Sequence, residues 1–477
     1  METIRFNKNK LQDKIHAAWI GKNIGGTIGV PYEWTQEFLD VKGFISKPGE
    51  PLPNDDLDLQ LVWLHAMETE GPYHFNARIL SEYWMRGIVP EWNEYGIGKA
   101  NLRDSIMPPL SGELHNDVWK NSNGAWIRSE IWACLTPGYP ELTQQYVIAD
   151  ATVDHGFGEG TYAAMFIAAL ESLAFFNDNR VELIEKALCF IPENCRIANA
   201  VNLVMREYKV KTPYREVRDM LVKQSADIGW FQAPANVGFV VIGLLYGEGD
   251  FKNSVLYAVN CGDDTDCTAG TVGAIMGILY GTAGIPKDWW EHINDGIKTI
   301  CINTHVQALM PKTCTELTDR ILRLIPTVFL ANNFLCELND SEDILSGQHS
   351  SIMIDGMRYL EVEPWSFELP YLPHIRGFAG YDRAPIVKEG EEISLRMRLI
   401  NFSCWETCNL RIRLILPEGW TAEYQKTVAL TNAEKPMSSY WNAKVKVGQT
   451  QAKNHIYAIA ESPIHAQPLI VDFYIEG

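Results

Sequence analysis

Three carboxylates fall within four residues in the stretch NCGDDTDCTAG, which spans residues 260–270. Asp263, Asp264 and Asp266 stand between two apolar segments, LYAV before them and GTVGAIMGILYG after them. Neighbouring ionised carboxylates repel one another and resist leaving water, so such a cluster needs either open solvent or a compensating cation. The pattern therefore indicates a candidate site that uses carboxylates or a bound metal ion.

A second acidic cluster lies in the stretch LPNDDLDLQLVWL and begins with Asn54, Asp55 and Asp56. Asn54 is a good N-cap for a helix, and carboxylates in the first turn interact favourably with the helix dipole. Helix capping alone explains this cluster as well as a functional role does. If the two carboxylate-rich helix starts meet in space, however, their oxygens can bind a hard cation.

The elements that must position these residues are predicted to be helices. Residues 160–176 and 269–281 are long apolar stretches rich in Ala, Gly and Met, which is typical of buried helices in a multi-helix core. In the second stretch Gly270, Gly273 and Gly277 recur at intervals of three and four residues, which removes side-chain bulk from one face. We expect another backbone to approach that face closely, beneath the site.

The pattern of the sequence changes after residue 345. Short segments such as EISLRMRLINF and NHIYAIAES alternate between polar and apolar residues, which indicates antiparallel strands, and their number indicates a β-sandwich. The sequence thus predicts a multidomain protein, with an all-α domain over residues 1–340, a boundary at 339–351 and a β-sandwich domain over residues 350–477. The stretch LILPEGWTAE resembles immunoglobulin-like domains that are often appended to bacterial carbohydrate-active enzymes, which implies an accessory domain that packs on the catalytic domain or binds sugar.

Composition narrows the possible partners. The 477 residues include 60 acidic and 41 basic side chains, a formal charge of −19, which disfavours nucleic acid and anionic membranes because both require a cationic face. The N-terminal segment lacks the pattern of a signal peptide, and no run of about 18 apolar residues occurs, so we expect a cytoplasmic protein that does not enter a membrane. The ten scattered cysteines are typical of reduced, mostly structural thiols. The oligomeric state stays open.

Four blocks of sequence, in order, resemble the ADP-ribosylglycohydrolase family, which includes the dinitrogenase-reductase-activating glycohydrolases. The blocks are GGTIGVPYE at 25–33, NDD at 54–56, NSNGAWIR at 121–128 and GDDTDCTAGTVGAIMGILYG at 262–281. The resemblance runs from about residue 10 to about residue 285, so it does not extend into the predicted sandwich. It implies an all-helical domain with a two-magnesium centre at its mouth.

The resemblance also implies which residues bind Mg²⁺, as one or two ions. Carried across position by position, the metal ligands are Asn54, Asp55, Asp56, Asp264, Asp266 and Cys267. Asn54 and Cys267 stand where the family usually has Thr, and a soft Cys sulfur is a poor ligand for so hard an ion. Gly26 stands where the family often has Asp. Asp263 stands where it usually has Gly, so Asp263 is an extra carboxylate with no implied role.

Other residues are implied to act on the substrate. Glu33 matches the family glutamate that works at the glycosidic carbon, where a carboxylate behind a Gly-rich turn can act as a general base on water. Arg128 lies in the third block, and it can equally be a structural partner for a core carboxylate. The implied substrate-binding residues are Asn123, Gly124, His155 and Glu159.

The predicted domain is rich in tryptophan. Five of these residues fall within 49 positions, and their faces can stack on adenine or on pyranose rings. Because most large aromatic side chains belong to the core, we expect one or two of them at the cleft. They are Trp84, Trp92, Trp119, Trp126 and Trp132.

Three classes of function stay open. The first is a metal-dependent hydrolase of an N- or O-glycosidic bond to ADP-ribose, on a small molecule or on a protein side chain. The second is a glycoside hydrolase that acts on a different sugar. The third is an ADP-ribose- or sugar-binding protein that has kept the fold and lost the chemistry, which Cys267 and Gly26 make possible.

Overall fold

The computed structural model describes residues 2–343, 365–370, 375–401, 408–430, 438–462 and 466–477. The predicted boundary segment, residues 339–351, lies for the most part outside these ranges, so the boundary stays a prediction. The described residues form a helical region followed by β-sheets, which confirms the predicted fold class. None of the described helices is long and apolar enough to cross a membrane.

Seventeen α-helices lie in the described part of the chain before residue 332. Both helices predicted from long apolar stretches are present, as α8 and α14. In chain order the helices are α1 (Lys8–Gly29), α2 (Asp55–Glu70), α3 (Ala77–Gly87), α4 (Asn93–Arg103), α5 (Leu110–Glu113), α6 (Glu130–Leu135), α7 (Pro140–His155), α8 (Glu159–Ala174), α9 (Arg180–Ala187), α10 (Arg196–Lys209), α11 (Tyr214–Gln224), α12 (Ala233–Tyr246), α13 (Phe251–Asn260), α14 (Thr265–Tyr280), α15 (Lys287–Ile293), α16 (Thr304–Gln307) and α17 (Cys314–Ala331).

Helices α1 and α14 pack backbone against backbone through their glycines. A β-carbon placed on Gly273 would lie 2.7 Å from the carbonyl carbon of Gly21, and closer still to its oxygen. Gly277 meets the backbone of Ala17 in the same way, whereas a β-carbon on Gly270 would come closest to the side chain of Lys22. The predicted close approach is therefore confirmed, and two of the three glycines make it possible. The pairing fixes the end of α1 beside the start of α14.

The helical region also contains a two-stranded parallel sheet, which the prediction of an all-α domain missed. Strand β1 (Glu2–Asn7) pairs with β2 (Phe334–Asn339) over its whole length. Phe6 on β1 is fully buried, and its ring lies 5.6 Å from that of Phe329 in α17. The alternation is too short and the partners too distant in sequence for local patterns to reveal this pair.

The region after residue 365 consists of two antiparallel sheets. One has the strand order β11–β10–β6–β8 and the other β3–β4–β5–β9–β7. The strands are β3 (Ser366–Glu368), β4 (Ile375–Tyr381), β5 (Glu392–Asn401), β6 (Cys408–Ile415), β7 (Thr421–Tyr424), β8 (Thr427–Leu430), β9 (Ser438–Lys446), β10 (Lys453–Glu461) and β11 (Leu469–Glu476). Buried and exposed residues alternate along β9 and β10, as the sequence pattern predicts.

The apolar core between the two sheets extends into the helical region. Trp441 and Phe473, one from each sheet, are fully buried in this core. Ile106, Leu110 and Leu114, from the segment around α5, belong to the same cluster. The helical region thus contributes apolar side chains to the core of the sandwich.

Candidate active site

Three helix ends meet at a cavity of about 500 Å³. Helix α1 ends just before the turn that carries Glu33, while α2 and α14 begin at the cavity with the two acidic clusters. The hydroxyl of Thr265 donates to the carbonyl oxygen of Gly29 at 2.8 Å, which ties the start of α14 to the end of α1. Two sequence segments more than 200 residues apart therefore form one site, as their carboxylates predicted.

The carboxylates form two groups that share Asp266. In one group Glu33, Asp264 and Asp266 each place an oxygen within 4.8 Å of the others. In the second group the ligand atoms of Asp266, Asp56 and Cys267 also lie within 4.8 Å of one another. Glu33, Asp264, Asp266 and Cys267 line the cavity, whereas Asp56 lies behind it.

Burial and mutual repulsion disfavour the ionised forms of these carboxylates. Burial, followed by the charges of Asp55 and Asp56, raises the pKa of Glu33 to about 7. Burial and the charge of Glu33 raise the pKa of Asp266 to about 7. Burial and the charges of neighbouring carboxylates also raise the pKa of Asp264 well above its usual range. A cation among these groups would reverse the shifts, since it stabilises their charged forms.

The group of Glu33, Asp264 and Asp266 fits the hard cation that the family resemblance implies. All its donors are carboxylate oxygens, which Mg²⁺ prefers. Oδ1 of Asp266 is buried and accepts no hydrogen bond from any described residue, so it is available to a ligand. A buried, unpartnered carboxylate oxygen is costly without such a ligand.

Asn54 and Asp55 line the cavity beside this group. Oδ1 of Asn54 accepts from the backbone N–H of Asp56 at 2.8 Å, so Asn54 is the N-cap that the sequence predicted for α2. Oδ2 of Asp55 accepts from the hydroxyl of Tyr95 at 3.2 Å. A β-carbon at position 26 would lie 2.5 Å from Nδ2 of Asn54, so Gly26 leaves the space that the Asn54 side chain fills.

Asn123 and Gly124 also lie at the cavity. The side-chain amide of Asn123 donates to Oδ2 of Asp264 at 2.8 Å, and its carbonyl oxygen accepts from the indole of Trp126 at 3.1 Å. Asn123 therefore orients a carboxylate of the site. Gly124 lies so close to the Glu94 carboxylate that any β-carbon would overlap it.

The structure places His155 and Glu159 outside the cavity lining formed by the described residues. His155 is fully buried, and its Nε2 lies 3.0 Å from the hydroxyl of Ser122, which does line the cavity. Glu159 accepts from the backbone N–H groups of Arg196 and Ile197 at 2.9 and 3.1 Å, at the start of α10. Their expected roles as substrate contacts have no support in this geometry, because His155 is covered and Glu159 caps a helix.

Arg128 has the structural role that the sequence left as an alternative. It is fully buried in the core of the helical region. Its guanidinium donates to Asp150 at 2.9 Å and to Asp154 at 2.7 Å. The carboxyl of Asp154 also lies 2.9 Å from Nδ1 of His155. This network reaches the cavity through His155 and Ser122, and also through Gly124, whose carbonyl oxygen accepts a hydrogen bond from Arg128.

Asp263, the extra carboxylate, shapes an aromatic wall. It is buried, has a φ of 69°, and accepts from the backbone N–H of Phe231 at 3.1 Å and from Asn236 at 2.8 Å. Its own backbone bonds to both Trp34 and Thr35. Trp34 and Phe231, whose ring centres are 3.8 Å apart, both line the cavity. Asp263 thus joins the two segments that carry this wall.

The cavity has further lining residues that sequence reasoning did not identify. Glu94 is one of them, with a side chain that is buried beside Ser122 and Gly124. Burial raises the pKa of Glu94, and the nearby His155 lowers it in part. No spacing or motif in WNEYG marks this residue. Of the five tryptophans singled out in the sequence, Trp92 and Trp119 line the cavity, which agrees with the expected one or two. The other three, Trp84, Trp126 and Trp132, are buried.

Comparisons with known proteins identify the family of the helical region. A sequence model of the ADP-ribosylglycohydrolase family matches residues 7–327. The ADP-ribosylarginine hydrolase Tri1 of Serratia proteamaculans (strain 568) is 41% identical over 301 residues, which cover 59% of this chain and 75% of that protein. The protein of the same name from Pseudomonas putida (strain GB-1) is 25% identical over 328 residues, which cover 65% of this chain and 78% of that protein.

A solved structure of an "ADP-ribosylglycohydrolase-related protein complex" is 19% identical and matches with a TM-score of 0.44, covering 67% of this chain and 99% of its own. The family model, by contrast, spans well over half of the sequence. The chain therefore belongs to the ADP-ribosylglycohydrolase family, and it is a glycosyl hydrolase.

Proposed function

We propose that the protein is a divalent-cation-dependent hydrolase that releases ADP-ribose from an arginine side chain. The observation that carries the proposal is a single cavity lined both by Glu33, Asp264 and Asp266 and by the separate buried carboxylate of Glu94. Relatives named ADP-ribosylarginine hydrolases support arginine as the group to which the ADP-ribose is attached.

The reaction exchanges one bond for another at the anomeric carbon of the ribose. The oxygen of a water molecule attacks this carbon, and the C–N bond to the guanidine breaks with its electron pair left on nitrogen. Glu33 takes a proton from the attacking water, and the departing nitrogen gains a proton, so that one water is consumed and ADP-ribose and arginine are released. With a cation bound nearby, Glu33 would be ionised near neutral pH and so able to accept this proton.

A divalent cation, when bound, orients the ribose hydroxyls and polarises them as a Lewis acid. Asp264 and Asp266 would hold it, and Asn123 fixes the orientation of Asp264. Glu33 belongs to the same group of oxygens, so it is close enough to act both on the ion and on water. Mg²⁺ is the ion that the family resemblance favours for such a donor set.

Glu94 supplies the partner for the guanidinium. Among the described residues two lining carboxylates, Glu94 and Asp55, stand outside both groups of potential ligands, and Asp55 already accepts a hydrogen bond from Tyr95. Trp92 and Trp119 line the cavity with Glu94. A carboxylate accepts a guanidinium through paired charge-assisted hydrogen bonds, and aromatic faces stack on its plane. Ser122, which contacts His155 from below, lies next to Glu94 at the cavity surface.

The test is hydrolysis of peptides that carry ADP-ribose on arginine or on serine, with nitrophenyl glycosides as a further arm, before and after chelation of divalent ions. We expect turnover of the arginine-linked peptide only with the ion present. Glu33→Gln should lower kcat by a factor of about 10²–10⁴, the usual contribution of a positioned acid–base group. Glu94→Gln should raise KM for the arginine-linked peptide and leave binding of free ADP-ribose unchanged.

Glu182, on α9, provides the matched control, because its carboxylate is partly exposed and does not line the cavity. Glu182→Gln should behave as the wild type in each assay. Full activity of Glu33→Gln would show that another group is the base. If the wild type and Glu94→Gln each hydrolysed the arginine-linked and the serine-linked peptide at the same rate, arginine would not be the preferred attachment site and Glu94 would not recognise it.

A hydrolase of a different sugar is the second candidate. Trp34 is 61% exposed and Trp92 is 52% exposed at the cavity, and such faces stack on pyranose rings as well as on adenine. Turnover of a nitrophenyl glycoside without binding of ADP-ribose would select this function. Binding of ADP-ribose without turnover of any substrate would indicate a protein that has lost the chemistry.

A further inference from the structure

A lysine lies behind the carboxylates of the site. Lys22, on α1, is 2% exposed, and its ammonium donates to Oε1 of Glu130 at 2.7 Å and to the carbonyl oxygen of Ile127 at 2.6 Å. The same ammonium lies 3.5 Å from Oδ2 of Asp56. A buried cation is therefore in ionic contact with one residue of the acidic cluster.

The two groups of potential ligands differ in what they offer a metal ion. Glu33, Asp264 and Asp266 contribute only carboxylates, and all three face the cavity. In the other group the thiol of Cys267 lies 3.4 Å from Oδ1 of Asp56, while the Lys22 ammonium faces Oδ2. Oδ1 of Asp56 thus accepts from the thiol, while Oδ2 accepts no hydrogen bond from a described residue but has the ammonium as its ionic neighbour.

A divalent ion at the second group would meet two obstacles. Its third donor is a soft sulfur, which binds hard cations poorly. It would also lie close to a positive charge that shares its ligand Asp56, and like charges in a buried site repel strongly. The residues of this group do not fit a second magnesium ion, although the family resemblance implies two.

We propose that the Lys22 ammonium takes the place of the second cation, so that the site binds a single divalent ion among Glu33, Asp264 and Asp266. The ammonium, which Glu130 shares, then lies against Asp56, and the ion would balance two of the three charges of Glu33, Asp264 and Asp266. The inference rests on the cation-binding site of the proposed function. It concerns the number of bound ions, however, and that number is measured without any substrate, so it is tested separately from hydrolysis.

The test counts ions on the full-length protein. Chelator-treated protein is titrated with Mn²⁺, and the free ion is measured by electron paramagnetic resonance. We expect one ion per chain for the wild type and none for Asp264→Asn, because Asp264 belongs only to the occupied group. Two ions on the wild type, no ion on the wild type, or a remaining ion on folded Asp264→Asn would each overturn the proposal.

A set of variants tests the role of Lys22 directly. Lys22→Met/Glu130→Gln/Cys267→Thr removes the ammonium together with its carboxylate partner and supplies a hydroxyl ligand, and we expect it to bind two ions. Cys267→Thr alone retains the ammonium and should bind one, as should Lys99→Met, which removes a different buried lysine. Circular dichroism establishes that each variant is folded. A folded triple variant that binds one ion would show that Lys22 does not replace a metal. If that variant does not fold, the number of ions bound by the wild type and by Asp264→Asn still tests whether the site holds a single ion.

Discussion

Gly273→Ala should separate the two helices that hold the site together. The added β-carbon would lie 2.7 Å from the carbonyl carbon of Gly21, whereas carbon atoms in contact lie about 3.5–4.0 Å apart. Relief therefore requires the helix axes to move apart by about 1 Å, since backbone faces backbone and no side chain can rotate away. Overpacking of this kind costs about 1–3 kcal/mol, and a rigid contact belongs at the upper end.

The net effect on stability follows from two opposing contributions. Alanine is a better helix former than glycine by about 1 kcal/mol, which leaves a net destabilisation of about 2 kcal/mol. At an unfolding entropy of about 2.1 cal/mol/K per residue, this lowers the Tm of a helical region of about 330 residues by roughly 3 °C. The same movement displaces Asp264 and Asp266, at the start of α14, from Glu33, which follows α1, so the affinity for Mn²⁺ should fall roughly tenfold.

Gly270→Ala on the same helix is the matched control. Its β-carbon would come closest to Cδ of Lys22, at 3.2 Å, with the backbone oxygen of Lys22 at an ordinary contact distance of 3.6 Å, and a flexible side chain can give by the few tenths of an ångström required. We expect a change in stability within about 1 kcal/mol of the wild type. Thermal unfolding monitored by circular dichroism and titration with Mn²⁺ compare the two variants. If Gly273→Ala matched the control in both assays, the packing of α1 on α14 would not be what positions the carboxylates.

Three other predictions follow from the same structure. Arg128→Met leaves two buried aspartates without their cation and should cost about 3–5 kcal/mol, measured by urea unfolding; a loss below 1 kcal/mol would contradict the network. Because the pKa values of Glu33 and Asp266 lie at about 7 without metal, ion binding should release protons, and affinity should rise from pH 6 to pH 8 before it levels off. Calorimetry in buffers of different ionisation enthalpy measures this release, and identical heats would count against it. Limited proteolysis should cut first within residues 339–351, and a first cut inside either region would disprove the predicted boundary.

Two members of the proposed cation-binding group, Asp264 and Asp266, can be singled out in the sequence because they lie at the start of a helix. Asp55, Asp264 and Asp266 occur in short blocks that precede apolar helices, so local patterns place them at the ends of elements. The glycines of α14 add the information that another backbone packs beneath. Periodicity also predicts the change from helices to strands, since it depends only on nearby residues.

Other features could not be predicted because they depend on contacts between distant segments. The role of Asp263 requires the positions of Phe231 and Asn236, which lie on a different loop and helix. Glu94 has no motif, and only the fold brings it beside Gly124. The burial of His155 likewise follows from packing, because its ring lies in the core within hydrogen-bond distance of Ser122. The positions of these three residues relative to the cavity are therefore set by contacts between distant segments, which local sequence patterns do not record.

The contacts of the sandwich support a structural role for it. Ile106, Leu110 and Leu114 of the helical region are buried in its core, and without the sheets these side chains would face water. Between them, Gly112 packs against the backbone of Gly156 and His155 so closely that a β-carbon would overlap both. His155 in turn contacts Ser122 at the cavity wall beside Glu94. The sheets therefore hold in place the segment around α5, which packs behind the cavity wall formed by Ser122 and Glu94. This contact gives the sheets a structural role in the helical region whether or not they bind sugar.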